Sequence, residues 1–413
     1  MASDEKKIGI KAGIVWNTVG NFIYLFSQWL LTYVVVRALG YESAGIFSLS
    51  MALANSFFGI AAYTMRNYQT SDVEGRYSAN TYIKSRYFTC AAFIVICFIY
   101  ALVNGYDSYA LACIGVYAIF KVTEALSDVY QGILQLRFRL DYVGISFAIK
   151  GIAEFIFFLI AILVVRDLLV ALVVLTITSF AIVLGFDYRK ACSGRNLGLT
   201  SFQAVKSLLI ACLPMAIYGL LFNATGQIPR LFIESSLGAE ALGYYTSVAM
   251  PVVIVQVSAS FVFSPLVTPL AQYLHDGNNA QFTSMMKKVL LSIAVISVVS
   301  IVGFVLLGDW LLVLLFGESI APYTYLLLPL VICTILTALA WFVASVVTIL
   351  RNLNILVVLS AIGLGIVILG GKPFIDMFGM NGASFILAIA LGVFTIGCSI
   401  SIARITKKLL TSN

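Results

Sequence analysis

The sequence predicts an all-α polytopic membrane protein with about twelve transmembrane helices in two six-helix bundles. Composition, the length of the apolar runs and the placement of Lys and Arg predict it. Of 413 residues, 61% are hydrophobic and only 10% are charged, more apolar side chain than a soluble core of this size can cover. Apolar runs of about 20 residues recur along the chain, each long enough to cross roughly 30 Å of hydrocarbon as a helix.

The runs place spans near 13–36, 43–65, 86–105, 108–131, 143–165, 167–187, 207–233, 241–265, 286–307, 321–350, 355–371 and 381–403. The opening "MASDEKKIGIKAG" is charged and enters the first span without a small-residue cleavage site, so no removable signal peptide is expected. With a cytoplasmic N-terminus, only Arg37, Arg166, Arg230 and Lys372 fall at outer ends. Lys121 and Lys150 lie within spans, and every other Lys and Arg lies on the inner side. This bias predicts that both termini are cytoplasmic. The net charge of +7 follows from that topology, and with no clustered basic face it predicts no nucleic-acid partner.

Two connectors share the pattern Leu-Gly-x-Glu-x-x-Gly: Leu39, Gly40, Glu42 and Gly45 between spans 1 and 2, and Leu237, Gly238, Glu240 and Gly243 between spans 7 and 8. A parallel repeat of two six-span halves places the copies this way, although glycine also suits any tight helix–helix turn. The expected organisation is an N-terminal bundle over 1–190, a cytoplasmic linker over 191–206 and a C-terminal bundle over 207–413.

On span 1, Asn17, Asn21, Tyr24 and Gln28 share one helical face, and on span 7 Asn223, Gln227 and Arg230 repeat the spacing. Such amides serve either as interhelical glue or as the lining of a wet cavity. Pro214 and Pro229 predict a kink or break in span 7. Ionisable residues inside spans carry more information, because a charge in hydrocarbon costs roughly 2.5–3.5 kcal/mol on insertion scales. Span 4 holds Lys121, Glu124 and Asp128, and span 5 holds Lys150 and Glu154. At about 1.5 Å per residue, Lys121 and Glu154 lie at one depth, and Glu124 and Lys150 at another. Two salt bridges are therefore expected, with Asp128 unpartnered unless Arg137 or Arg139 folds back. The charges can neutralise one another, can line a cavity and take up protons or Na⁺, or can do both.

The seven cysteines mostly lie inside spans, and neither they nor the single His275 show metal-ligand spacing. No nucleophile triad, phosphate loop or metal motif appears, so no catalytic or metal site, and no enzyme, is expected.

Several stretches resemble a known family: "GIVWNTVGNFIYLFSQWLLTYVVVRALGYESAG", "RNYQTSD" with "YIKSR", "KVTEALSDVYQGILQLRFRLDYVG" and "CLPMAIYGLLFNATGQIPRLFIESSLG". They are similar to the polysaccharide flippases of the multidrug/oligosaccharidyl-lipid/polysaccharide (MOP) exporter superfamily. The resemblance implies a MOP/MATE-like fold around a central cavity in the bacterial cytoplasmic (inner) membrane. It also implies transfer of undecaprenyl-diphosphate-linked oligosaccharide repeat units to the outer leaflet by alternating access, for capsule, O-antigen or another surface polymer. The implied partners are this lipid-linked substrate, membrane lipids, and the polymerase and glycosyltransferases of the same pathway. No cofactor is implied, with H⁺ or Na⁺ coupling left open. Where many relatives carry Asn-Ala-Pro before a basic residue, this chain has Gly226-Gln227-Ile228-Pro229-Arg230.

A diphosphate needs cations in a wet cavity, which makes Arg230, Arg66, Lys121 and Lys150 the candidate phosphate ligands. Asn17, Asn21, Gln28, Asn223 and Gln227 are candidates for the sugars, and Glu124, Asp128 and Glu154 for coupling ions. Arg66 also fits a positive-inside anchor, and Arg230 a local pair with Glu234. The rival readings are a drug/cation antiporter of the same superfamily and a membrane polymerase or ligase. The first is expected to carry an acid deep in span 1, and the second a sizeable outer loop.

Overall fold

The computed structural model describes residues 10–72, 75–192, 197–263, 266–350 and 352–411. All elements among them are helical. Hydrocarbon offers no partner to a backbone N–H or C=O, and a helix satisfies both internally. Helix α1 (Ile10–Ala62) is followed by α2 (Met65–Ser71), α3 (Ala79–Val103), α4 (Ser108–Leu136), α5 (Leu140–Val165) and α6 (Leu168–Ile182). A π turn over Val183–Tyr188 leads into the short α7 (Arg189–Cys192). Then come α8 (Phe202–Leu237), α9 (Ala239–Phe263), α10 (Val267–His275) and α11 (Asn279–Phe316). A 3-10 segment, Glu318–Leu326, precedes α12 (Leu327–Ile349), α13 (Leu353–Phe378) and α14 (Asn381–Thr411).

Every expected span falls on a helix. Ten helices among the described residues are long and apolar enough to cross a membrane. The first of them holds two spans, because α1 leaves helical geometry at Gly40, and the eighth span lies in α9. Large apolar side chains such as Val164, Leu306 and Leu369 are exposed, as expected of surfaces solvated by lipid. This is a multi-pass membrane protein. The seven cysteines are buried and free, as packing cysteines are.

The chain divides into two compact units, Met1–Leu220 and Leu221–Asn413, a division that falls within α8. The sequence-based linker, 191–206, lies upstream of it, and residues 193–196 of that linker are outside the described residues, as is the side chain of His275. Helix α8 continues through Pro214 and Pro229 instead of breaking there. Each proline removes one N–H from the ladder, and the remaining bonds of a 36-residue helix hold it.

The connectors expected on the outer side are short, and each turns on one residue of positive φ: Gly40, Gly105, Arg166, Gly238, Gly317 and Gly379. Gly40 and Gly238 adopt nearly the same value, 87° and 89°. That accounts for the glycine of the recurring Leu-Gly-x-Glu-x-x-Gly connector, since an L side chain rarely adopts this backbone. Gly317 has the same φ of 87° without the rest of the motif, so the corner itself does not require a duplicated sequence. Space is not the constraint at Gly40, where an added Cβ meets nothing within 4 Å. Its φ of 87° with ψ of 179° lies in a region essentially reserved for glycine.

Within the first unit, α1 packs on α5 through glycines. A Cβ on Gly20 would sit 1.9 Å from the Gly144 carbonyl oxygen, and one on Gly144 would sit 2.1 Å from that of Trp16. One on Gly151 would sit 2.8 Å from the Tyr24 Cα. Small residues let two backbones approach where no hydrophobic effect drives them together.

Gly40→Ala should lower stability by about 1–3 kcal/mol through backbone strain alone. The check is thermal unfolding in detergent against Ala44→Gly as a control, and an unchanged melting temperature for Gly40→Ala would contradict it.

Candidate functional site

The close approach of α1 to α5 decides which charges meet. Tyr24 and Gln28 project from α1 towards the acids of α4 and α5. The Tyr24 hydroxyl donates to Glu124 Oε1, and Gln28 Nε2 donates to Glu154 Oε2 at 2.9 Å. Lys121 pairs with Glu124 one helical turn along α4, while its ammonium lies 4.6 Å from the centre of the Phe58 ring. Lys150 reaches Asp187 at 3.8 Å. The expected pairs Lys121–Glu154 and Glu124–Lys150 do not form. Matching depth on sequential helices ignores what packs between them, and here α1 supplies the partners.

Asp187 was not singled out in the sequence. It ends a span, in "GFDYRK", and reads there as a boundary residue. The π turn of Val183–Tyr188 shifts the side-chain register, a device frequent at functional sites, and Asp187 is completely buried. The Ser127 hydroxyl donates to it at 2.5 Å.

Asp128 is the second correction: it has two cationic partners, neither of them Arg137 or Arg139. Arg86 of α3 donates to Asp128 Oδ2 at 2.8 Å, and Arg66 of α2 donates to Oδ1 at 3.3 Å. Arg137 instead donates to the Ala191 carbonyl, and Arg139 pairs with Asp141. The Arg86 side chain is 0% exposed and also donates to the carbonyls of Ala61 and Ala62. It therefore caps the C-terminal end of α1, where a cation is favoured, and ties that end to α4. Arg66 is a quarter exposed, and its other donors go to Gln131 Oε1 at 3.0 Å and Gln135 Oε1 at 3.2 Å. Between α1 and α2, Tyr63 and Thr64 both take positive φ, 50° and 46°. Such a conformation costs of order 1–3 kcal/mol per residue and persists only where neighbours enforce it. Here the Thr64 hydroxyl is fastened to the Met215 carbonyl at 3.1 Å.

These groups border a cavity of about 340 Å³ whose wall includes Tyr24, Thr64, Arg66, Glu124, Ser127, Asp128, Gln131 and Lys150. Of the sequence-derived candidates, it brings together Arg66, Lys150, Glu124 and Asp128. It does not take in Lys121, Glu154, Asn17, Asn21 or Gln28. Glu154 is fully buried, has no cation within 4 Å among the described residues, and leaves Oε1 without a hydrogen-bond partner. Asn17 and Asn21 are half-buried, and the Asn17 side-chain oxygen is buried without a partner.

The second unit holds its own polar cavity, of about 170 Å³. Asn223, Gln227 and Arg230 of α8 line it, with Gln256 of α9 and Thr334, Thr337 and Trp341 of α12. Arg230 makes no ion pair among the described residues, Glu234 included, and Gln227 Oε1 is buried without a hydrogen-bond partner. The three residues sharing a face of span 7 thus do converge on one cavity. They do so from a helix that runs without interruption through Pro214 and Pro229.

No known family profile matches the chain. It is similar to a capsular polysaccharide biosynthesis protein, CapF, of Staphylococcus aureus, with 24% identity over 378 residues, covering 90% of this chain and 94% of that protein. Among solved structures it resembles an inward-facing multidrug resistance MATE family transporter of the MOP superfamily, with a TM-score of 0.75 and 13% identity over 97% of this chain and 99% of that one. It also resembles a MOP superfamily transporter from Pyrococcus furiosus, described as having a binding pocket of reversed polarity that suggests a different function. There the TM-score is 0.65 at 15% identity, over 97% and 96% of the two chains. The fold is that of the MOP superfamily transporters.

Of the two arginines on Asp128, Arg86→Met should be the more damaging change. It leaves Asp128 short of a cation and strips the end of α1, a loss of roughly 3–5 kcal/mol for a broken buried pair. Arg66→Met should cost distinctly less, since Arg66 is partly exposed and Arg86 remains on Asp128. Melting temperatures of the purified variants check the order, and equal or reversed losses would contradict it.

Proposed function

We propose that this membrane protein, built on the MOP transporter fold, is a flippase. It carries undecaprenyl-diphosphate-linked oligosaccharide repeat units from the inner to the outer leaflet for surface polysaccharide assembly. One observation carries the reading: Arg230 stands in a polar cavity with no acid paired to it among the described residues. An unpaired guanidinium away from bulk water is costly unless an anion joins it, and its forked donors suit phosphate oxygens. Gln227, with an unpartnered buried oxygen, and Asn223 offer the amides that sugar hydroxyls need. The similarity to a capsular polysaccharide biosynthesis protein supports the same substrate class.

In the first unit, Arg66 is the second phosphate ligand. It is tethered loosely, by two glutamines and a share of Asp128, so an entering diphosphate can take its donors while Arg86 keeps Asp128 neutralised. Glu154, buried against the Gln28 amide with no cation within 4 Å among the described residues, is the candidate carrier of a coupling proton. The protein lies in the bacterial cytoplasmic membrane with both termini inside, on the strength of the Lys and Arg distribution.

The MATE fold of the structural relatives favours a drug/cation antiporter as the second reading. Span 1 here presents Asn17, Asn21 and Gln28 where such a protein is expected to present an acid. The short outer connectors, such as Arg166–Asp167 and Gly379–Met380, leave no room for the outer loop of a polymerase.

In a strain lacking the native gene, Arg230→Ala should abolish surface display of the glycan while the protein stays in the membrane at normal abundance. Arg230→Lys should restore only part of it, because an ammonium keeps the charge and loses the bidentate fork. Full display with Arg230→Ala at normal abundance would reject Arg230 as a phosphate ligand.

A further inference from the structure

Beside the charged cavity of the first unit lies a second, apolar one. It is a groove of about 320 Å³ lined by Tyr63, Phe88, Phe202, Val205, Ile210 and Leu213, with Lys206 as the one charged side chain on its wall. Phe88, Phe202 and Ile210 are 54%, 73% and 60% exposed, so the groove is open along its side. Its residues come from α3, the start of α8 and the link between α1 and α2. The Phe88 and Phe202 rings meet edge to face, with centroids 6.3 Å apart.

The link joins this groove to the charged cavity. Tyr63 lines the groove, while its chain neighbours Ala62 and Thr64, together with Arg66, line the cavity. Two successive residues in the left-handed region, Tyr63 and Thr64, turn adjacent side chains to opposite sides. The hydrogen bond from Thr64 to Met215 fastens that turn to the helix bearing Leu213. A ligand that fills both spaces must be apolar along its length and anionic at one end, and its charge must reach Arg66 or Lys206.

We infer that the groove of Tyr63, Phe88, Phe202, Ile210 and Leu213 holds the isoprenoid chain of the lipid-linked substrate, next to the end that carries the diphosphate. This rests on the flippase reading and adds to it a site for the tail, separate from the sites for phosphate and sugar. An ordinary bilayer phospholipid can occupy the apolar groove, but it has no diphosphate to present to the cations on either side of Tyr63–Thr64.

The test uses the full-length protein in nanodiscs and measures binding of undecaprenyl diphosphate, inorganic diphosphate and a diacyl phosphatidic acid. Ile210→Trp fills the groove from an exposed position, and Val95→Trp, on an exposed lipid-facing site of α3, is the control. Ile210→Trp should weaken undecaprenyl diphosphate by about tenfold, the effect of losing one side chain's worth of apolar contact, and leave inorganic diphosphate unchanged. Val95→Trp should change neither. Unchanged affinity for undecaprenyl diphosphate in Ile210→Trp, or an equal loss for phosphatidic acid, overturns the assignment of the groove and leaves the flippase reading intact. If the unmodified protein binds neither diphosphate, the flippase reading fails first. Crosslinking of a photoreactive undecaprenyl diphosphate to a cysteine-free chain, with adducts mapped to Phe88 or Phe202 against Val95, gives a second readout should Ile210→Trp misfold.

Discussion

Asp128 is shared between Arg66 and Arg86, and much of the first unit depends on that arrangement. A carboxylate in a membrane interior is tolerated only with its charge answered. Arg86 answers it from a fully buried position and also holds the last carbonyls of α1. The end of α1, the start of α2 and the middle of α4 are thereby fixed relative to one another. Because Arg86 meets the structural need, Arg66 is left partly exposed on a cavity wall with donors that amides hold only weakly. One arginine is buried in the fold while its neighbour stands on the cavity wall.

The same logic separates the two cavities. Around the first cavity, Lys121 pairs with Glu124, Lys150 with Asp187, and Arg66 and Arg86 with Asp128. In the second unit Arg230 shares its cavity with amides, hydroxyls and Trp341, and it has no acid paired to it among the described residues. The remaining acid, Glu154, has the inverse problem, being buried beside Gln28 with no cation within 4 Å among the described residues. These are properties of side chains, and a fold shared at 13% identity with a multidrug transporter says nothing about them.

Much of the architecture was legible in the sequence because it follows from additive quantities. Apolar length sets the spans, and the one-sided distribution of Lys and Arg sets the expected topology. The grouping of Asn223, Gln227 and Arg230 was legible too, because it depends only on helical periodicity within one element. Partners across helices were not. The pairing of Lys121 with Glu154 failed because α1 comes against α5 through Gly20, Gly144 and Gly151, and hydropathy does not reveal a glycine contact. Asp128 was left alone in the sequence reading because Arg66 and Arg86 lie far from it along the chain and look like ordinary boundary cations. Asp187 was missed because it ends a span and reads as a boundary residue, whereas the π turn of Val183–Tyr188 holds it fully buried. Of the kink or break expected at Pro214 and Pro229, no break occurs, since a long helix in a nonpolar setting retains its other hydrogen bonds.

Movement of an anionic lipid-linked sugar across a bilayer by this chain can be followed directly. Its most direct test is reconstitution of the purified protein into liposomes carrying a fluorescent undecaprenyl-diphosphate oligosaccharide in one leaflet, with an impermeant quencher added to follow its transfer to the other. The account predicts protein-dependent transfer that is lost when the diphosphate is replaced by an uncharged linkage. Transfer no faster than in protein-free liposomes, under conditions where the same vesicles accumulate or expel a cationic dye, would contradict it.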